Sequence, residues 1–217
     1  MIRKLKVLGM ALMAVLALSA VTASAASAAV EFHSEEKDLT LTGTQTTTNK
    51  LTTNAGETTC SKATFSGTTS TTSTTQPEQT VTPKYEECHA IFFGSKVAVT
   101  IDMNSCDYDL RAVGTAAITC SKAGDAIAVT SPGCIITISP PGNSTLTKVG
   151  YTNNSSGSTR HITVDFTITG VTYLEDPVGL FHTCANPNVL SHNGKLEGSF
   201  TLSAKNAAGV QKGYWLA

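Results

Sequence analysis

The chain is short of charge. Only 14% of its 217 residues are Asp, Glu, Lys or Arg, and the formal net charge is −1, where an average protein carries about 25% charged residues. A nucleic-acid groove or an acidic-membrane surface needs clustered Lys and Arg, so no nucleic-acid partner is expected. No two cysteines stand at C-x2-C spacing, which excludes the common zinc patterns. The G-x-S-x-G elbow, the H-E-x-x-H helix and a phosphate-cradling glycine loop are also missing, and with them the usual marks of hydrolases and nucleotide enzymes. No cofactor is expected, and a non-enzymatic role is favoured. The alternative is a small secreted hydrolase with a convergent active site, because such sites are defined by geometry rather than by spacing.

Long apolar runs are confined to the beginning of the chain. Arg3, Lys4 and Lys6 precede an apolar stretch over residues 7–20, and a tract of small residues continues to Ala29. This is the three-part layout of a secretory signal peptide. The stretch is shorter than the roughly 20 residues that a spanning helix requires. Residues 1–29 are therefore expected to be removed, with cleavage near Ala28 or Ala29 and a secreted or cell-envelope-associated product. The first cysteine is Cys60, so a lipid anchor beside the cleavage point is not expected. No second long apolar segment follows and the chain ends Tyr214-Trp215-Leu216-Ala217, so no transmembrane segment is expected after cleavage.

Threonine is abundant, with 35 occurrences. Its branched Cβ suits a pleated strand and its hydroxyl a solvated face. Apolar and polar residues alternate strictly in several places. Val97, Val99, Ile101 and Met103 oppose Lys96, Thr100 and Asp102; Ile162, Val164, Phe166 and Ile168 oppose His161, Thr163, Asp165 and Thr167. Both segments are half-buried strands. Leu39 and Leu41, Ile127 and Val129, and Leu196, Phe200 and Leu202 mark the inward faces of others.

Turn residues punctuate these runs at Asn54-Ala55-Gly56, Val113-Gly114, Asn153 to Gly157 and His192-Asn193-Gly194. About a dozen short strands follow from this spacing. Residues 30–217 are expected to form a single all-β domain: an antiparallel β-sandwich, Ig-like or related, with a β-barrel as the alternative. A closing hairpin is expected from 196–204 against 210–216. Residues 66–80 hold no large apolar side chain but Val81 follows at once, so this Thr/Ser-rich segment is expected to be a long loop or hairpin tip.

Six cysteines, Cys60, Cys88, Cys106, Cys120, Cys134 and Cys184, are expected to form disulfides in an exported chain. A Cys60–Cys88 bridge would clip the base of the 66–80 loop. The inward face switches parity between Met103 and Cys106, so Asn104-Ser105 should be a bulge or bend. With Val113-Gly114 as a turn centre, Cys106 falls opposite Cys120. Cys120–Cys134 is the rival, closing a loop of the same size. The favoured set is Cys60–Cys88, Cys106–Cys120 and Cys134–Cys184.

Asp102, Asn104, Asp107 and Asp109 are the densest acidic cluster and are weak candidates for a hard cation held by oxygen. Their spacing lacks the central glycine and terminal glutamate of a calcium loop, and alternation alone places the three aspartates outward. His182 and Cys184 share a strand face toward which His192 could fold, but Cys184 is better used in a bridge. His33, His89 and His161 are expected at the surface.

The segments Thr59-Cys60-Ser61-Lys62-Ala63-Thr64-Phe65-Ser66-Gly67, Met103-Asn104-Ser105-Cys106-Asp107-Tyr108 and Gly157-Ser158-Thr159-Arg160, with Gly198-Ser199-Phe200-Thr201 near the end, resemble a group of uncharacterised exported β-rich bacterial proteins. The resemblance implies an extracytoplasmic all-β domain with structural cysteines, and it implies no activity. The partner class expected is a cell-wall component, a glycan or a surface protein. Mass spectrometry of the exported protein should find the N-terminus just after Ala28 or Ala29, and retention of Met1 would contradict the assignment.

Overall fold

A computed structural model describes residues 29–92, 95–143, 145–156, 159–179 and 183–217. Of the expected signal peptide, only Ala29 lies within them. In chain order the strands are β1 (Phe32–Ser34), β2 (Thr40–Thr53), β3 (Gly56–Thr68), β4 (Thr75–Gln76), β5 (Glu78–Phe92), β6 (Ser95–Asp102), β7 (Cys106–Arg111) and β8 (Thr115–Cys120). They continue as β9 (Ile127–Ser131), β10 (Cys134–Ile138), β11 (Leu146–Thr147), β12 (Val149–Ser156), β13 (Thr159–Pro177), β14 (Leu190–Lys205), β15 (Gln211–Lys212) and β16 (Tyr214–Leu216). Among the described residues no helix is long and apolar enough to cross a membrane.

The ladders close on themselves. β5 pairs with β7 through Glu78 to Val81 and with β6 through Cys88 to Phe92, so β6 and β7 are two segments of one leg beside it. In the same way β8 and β9 line up beside β7 and β6. The line β10, β11 and β12 runs between these and β13. β13 pairs with β14, β14 with β2, β2 with β3 and β3 with β5. The result is an antiparallel meander of about eight legs in which each leg is hydrogen-bonded to the next and the last to the first. The expected all-β antiparallel fold with disulfides is present, and its pairing runs round a ring as in the barrel form of that expectation.

Alternation explains the ring's interior. Ile162, Val164, Phe166 and Ile168 are buried from β13, facing Leu41, Phe65, Val99, Val129 and Leu202 from the other legs in one continuous core. Phe65 stacks on Phe200 with ring centroids 3.8 Å apart, and Phe166 lies against the same ring at 6.1 Å. A ring of eight strands has an interior just wide enough for side chains to fill or to hold one small ligand. This one is filled, leaving a central void of only about 30 Å³ between Asn49, Tyr85, Tyr108 and the surrounding aliphatic residues.

Three expectations need correction. Five of the legs are long strands of 13 to 19 residues rather than short ones, because bulges absorb the parity changes that read as strand ends in sequence. The 66–80 segment is a hairpin tip with narrower bounds than expected: β3 runs to Thr68 and β5 begins at Glu78, leaving 69–77 between them with the two-residue β4 inside it. The intervening turn is pinned where Leu39 N–H donates to Thr69 Oγ1 at 2.9 Å and Ser70 N–H to Gln76 Oε1 at 2.8 Å. It lacks apolar residues because buried Gln79, which donates to Thr68 and Thr80 carbonyls, fills the inward position there. The closing hairpin is only the two-residue pairing of β15 with β14. β16 leaves to pair with β1, whose other edge takes β4.

This small three-stranded sheet covers one end of the ring. Phe32 stacks on Tyr214 at 6.0 Å and meets Tyr151 edge-on at 5.2 Å, and Glu31 and Ala217 exchange backbone hydrogen bonds.

The bend at Asn104-Ser105 is present, with both residues at positive φ (48° and 37°) and Cys106 N–H closing onto the Met103 carbonyl at 2.8 Å. Cys106 stands opposite Cys120 and Cys60 opposite Cys88. All three favoured disulfides are formed, which eliminates the Cys120–Cys134 rival. In the chain-entropy account they contribute about 3 to 4 kcal/mol each, most for Cys134–Cys184 with its separation of 50 residues.

One glycine is dictated by packing. A Cβ on Gly198 would lie 2.2 Å from Asn49 Oδ1 and 2.7 Å from the Phe166 ring. Gly198→Ala is expected to destabilise the fold by about 2 kcal/mol and to lower Tm by roughly 4–8 °C in a thermal melt; an unchanged Tm would contradict this packing.

Candidate functional site

The end of the ring opposite the small sheet is built from turns: β2 to β3 at Asn54-Ala55, β9 to β10 at Pro132-Gly133, and the long connection 178–189 between β13 and β14. Together with the last residues of β5, they frame a cleft of about 310 Å³ lined by Ala55, Ala90, Ile91, Val97, Pro132 and Val178 among others. Ile91 is 61% exposed, and Val189 and Leu190 at the start of β14 are 56% and 57% exposed. Val30, Val113 and Val210 are exposed as well, but they lie outside the lining of this cleft.

The described parts of the β13–β14 connection, 178–179 and 183–189, are fastened beside this mouth. Val178 N–H and Thr183 N–H both donate to the Gly133 carbonyl, at 3.2 and 3.3 Å, and Thr183 Oγ1 donates to the Pro132 carbonyl at 2.8 Å. Cys184 is bridged to Cys134 at the start of β10. Beside the bridge lies Glu175, with no exposed surface. Its Oε2 accepts Ala185 N–H at 2.8 Å and Asn186 N–H at 2.9 Å, and its carbonyl accepts Asn188 N–H at 2.7 Å. Glu175 therefore holds the strap by three hydrogen bonds. Its Oε1 meets no donor among the described residues.

The inward orientation of Glu175 follows from a bulge. Along β13 the buried residues are even-numbered up to Ile168, and the register to β14 shifts on either side of Val171. Gly170, at φ +77°, takes the backbone conformation that glycine adopts at no steric cost. Beyond it the buried set includes Val171, Tyr173 and Glu175. The odd-numbered run Val171 and Tyr173 was a signal in the sequence that Glu175 would face inward. The cleft had none, because its walls come from three separate connections and the ends of β5 and β6.

The acidic cluster is dispersed over hydroxyl partners. Asp107 accepts from Thr82 Oγ1 at 2.5 Å, and Asp109 accepts from Thr80 at 2.6 Å and Thr119 at 2.9 Å. Asp102 accepts the N–H of Asn104, whose amide donates to the Ala126 carbonyl. These contacts lace neighbouring legs together on the outer face. Of the histidines, His192 turns to Thr172 with Nδ1 3.0 Å from its hydroxyl and not toward Cys184; Thr172 is itself buried. His33 stacks on Trp215 at 5.6 Å, and the Arg160 guanidinium lies 4.7 Å from the centre of the same indole. His182 lies outside the described residues.

Inside the ring, the Tyr85 and Tyr108 hydroxyls are 3.1 Å apart. Burial pushes the Tyr108 phenol up to about 12. Tyr85 is raised well above the usual phenol range by burial first, and then by the neighbouring Tyr108. Tyr151 and Tyr214 are raised in the same direction, chiefly by burial.

The chain matches no protein-family model, no curated protein and no solved structure.

A phenol whose folded-state value is raised favours the folded state fully below its unfolded value of about 10, and that contribution is lost as pH rises through the folded value. Stability is thus expected to decline above about pH 10. In an alkaline titration the tyrosinate absorbance of Tyr85, Tyr108, Tyr151 and Tyr214 should rise together with loss of the circular-dichroism signal; full ionisation ahead of unfolding would contradict their burial.

Proposed function

We propose that the protein is an exported, secreted or cell-envelope-associated, non-enzymatic recognition module that grips an apolar group of a surface partner in the cleft at its ring mouth. The observation that carries this is the apolar cleft of about 310 Å³ framed by turns and continuous with exposed Ile91. An exposed apolar side chain at the edge of an apolar cleft offers an interaction site, whereas exposed apolar residues scattered singly need no explanation. The closed ring and its disulfides support the same role, since a binding site on loops gains affinity when a rigid scaffold fixes those loops in advance. The three disulfides fit an oxidising compartment outside the cytoplasm, in keeping with the signal-type N-terminus.

The partner favoured is a surface protein, or a cell-wall polymer bearing an apolar substituent. The cleft lining named above is mostly carbon, which suits an aliphatic or aromatic group better than an uncharged sugar.

Ile91→Asp and Ile91→Lys each place a charge on the rim at an exposed position, where substitutions ordinarily change stability by less than about 0.5 kcal/mol. Each is expected to weaken retention on washed cell-envelope fractions about tenfold, a loss of roughly 1.4 kcal/mol, with Tm unchanged. A wild-type protein that binds neither envelope fractions nor arrays of surface proteins and cell-wall polymers would overturn the proposal.

A further inference from the structure

The three disulfides are not equivalent. Cys60–Cys88 and Cys106–Cys120 each join directly opposed residues of adjacent paired strands, so the surrounding ladder holds both partners in place whether or not the sulfurs are bonded. Cys134–Cys184 instead joins a strand of the ring to the 178–189 strap. Cys134 is buried, at 1% exposure, whereas Cys184 is half-buried. Among the described residues this is also the only cysteine pair that gathers a carboxylate: Glu175, Cys134 and Cys184 present an oxygen and two sulfurs that all lie within 4.8 Å of one another.

The state of that carboxylate depends on the state of the bridge. Glu175 Oε2 is satisfied by two backbone N–H groups, Oε1 has no donor among the described residues, and one oxygen of the carboxylate lies within 4.8 Å of both sulfurs. A disulfide carries no proton and can offer none. A thiol is a donor, though a weak one, and a buried acceptor left without a partner carries a desolvation cost that a new donor relieves. Opening the bridge therefore puts two S–H donors within 4.8 Å of a carboxylate whose Oε1 has none when the bridge is closed. A bond from the newly formed thiol to Glu175 would stabilise the reduced form of this pair, and stabilising the dithiol raises the potential at which a disulfide accepts electrons.

We infer that Cys134–Cys184 is a thiol–disulfide exchange site, with Cys184 as the sulfur attacked, Cys134 as the leaving sulfur, and Glu175 as the acceptor for the thiol that forms. The co-reactant is a thiol: a small dithiol or a reduced cysteine pair of another exported protein. In the first step the thiol R–SH, reacting as its thiolate, bonds to Cys184 Sγ. The Cys134–Cys184 bond breaks, its electron pair stays on Cys134 Sγ, and the proton given up by R–SH ends there, donating to Glu175 Oε1. In the second step the partner's other thiol displaces Cys184 from the mixed disulfide. The partner is oxidised by two electrons and leaves as a disulfide, and Cys134 and Cys184 are reduced to two thiols. Attack is directed to Cys184 because its sulfur belongs to the half-buried residue and Cys134 is enclosed. This inference stands apart from the proposed binding of an apolar partner, since it needs only a thiol.

The test is graded reduction of the native full-length mature protein with dithiothreitol, trapping with iodoacetamide and mass mapping of the labelled cysteines. Cys134 and Cys184 should be labelled first, at a dithiothreitol concentration about tenfold below that needed for the other four, a difference of roughly 30 mV in potential. Glu175→Gln should shrink this selectivity. Single-cysteine variants provide a readout that does not depend on that variant folding: with Cys134→Ala, free Cys184 should capture oxidised glutathione as a mixed disulfide, whereas with Cys184→Ala the enclosed Cys134 should not. Opening of Cys60–Cys88 or Cys106–Cys120 at the same or lower dithiothreitol, selectivity unchanged by Glu175→Gln, or equal capture by both single-cysteine variants would each overturn the assignment. Envelope binding measured on the same samples reports on the apolar cleft separately.

Discussion

Closure of the ring is the constraint on which the rest of the structure depends. β2 near the beginning of the domain and β14 near its end pair from Thr40 opposite Lys205 to Thr52 opposite Lys195. Without that seam, β2, β3, β13 and β14 would form an open sheet with unpaired edges, which invites association with other chains. With it, the core side chains from every leg converge on a shared interior, and the outer face is left to hydroxyls and a few charges. Threonine suits both demands, since its branched Cβ supports the strand and its hydroxyl reaches across legs, as Thr80, Thr82 and Thr119 do to Asp109 and Asp107.

Closure also creates two ends, and the chain treats them differently. At one, β1, β4 and β16 lay a small sheet over the opening, with Phe32 and Tyr214 packed beneath and Gln79 receiving the Tyr214 hydroxyl at 3.2 Å. Both described termini are tied there. At the other, the described parts of the β13–β14 connection, 178–179 and 183–189, are held by Gly133, Glu175 and one disulfide beside an apolar cleft. The first end is stabilised by extensive packing. The second rests on a few polar contacts and one covalent bond, which is the arrangement in which chemistry at one bond can change what the surface offers to a partner.

Much of this was legible along the chain. The alternation of Val97 to Met103 and of Ile162 to Ile168 marked real inward faces. The arithmetic of the Val113-Gly114 turn located Cys106 opposite Cys120, because residues facing each other across a hairpin have a constant sum. What misled was local punctuation. Polar, Ser- and Thr-rich residues around 66–80 marked a real hairpin tip at 69–77 but not its bounds, because the strand beside it turns Gln79 inward instead of an aliphatic group. The closing hairpin looked continuous because Tyr214 and Leu216 keep strand alternation; they keep it for a different partner, β1, where they stand opposite Ser34 and Phe32.

The sequence by itself determined the strand character, the period-two faces, the bend at Asn104-Ser105 and the use of cysteine as disulfide, since each of these rests on neighbours within a few residues or on compartment chemistry. Only the tertiary structure decided that the sheet closes, which end is covered, and that Glu175 lies against the Cys134–Cys184 bridge. Those facts depend on which distant legs meet, and pairing between distant strands is fixed by the summed fit of the whole interior, which no local pattern encodes.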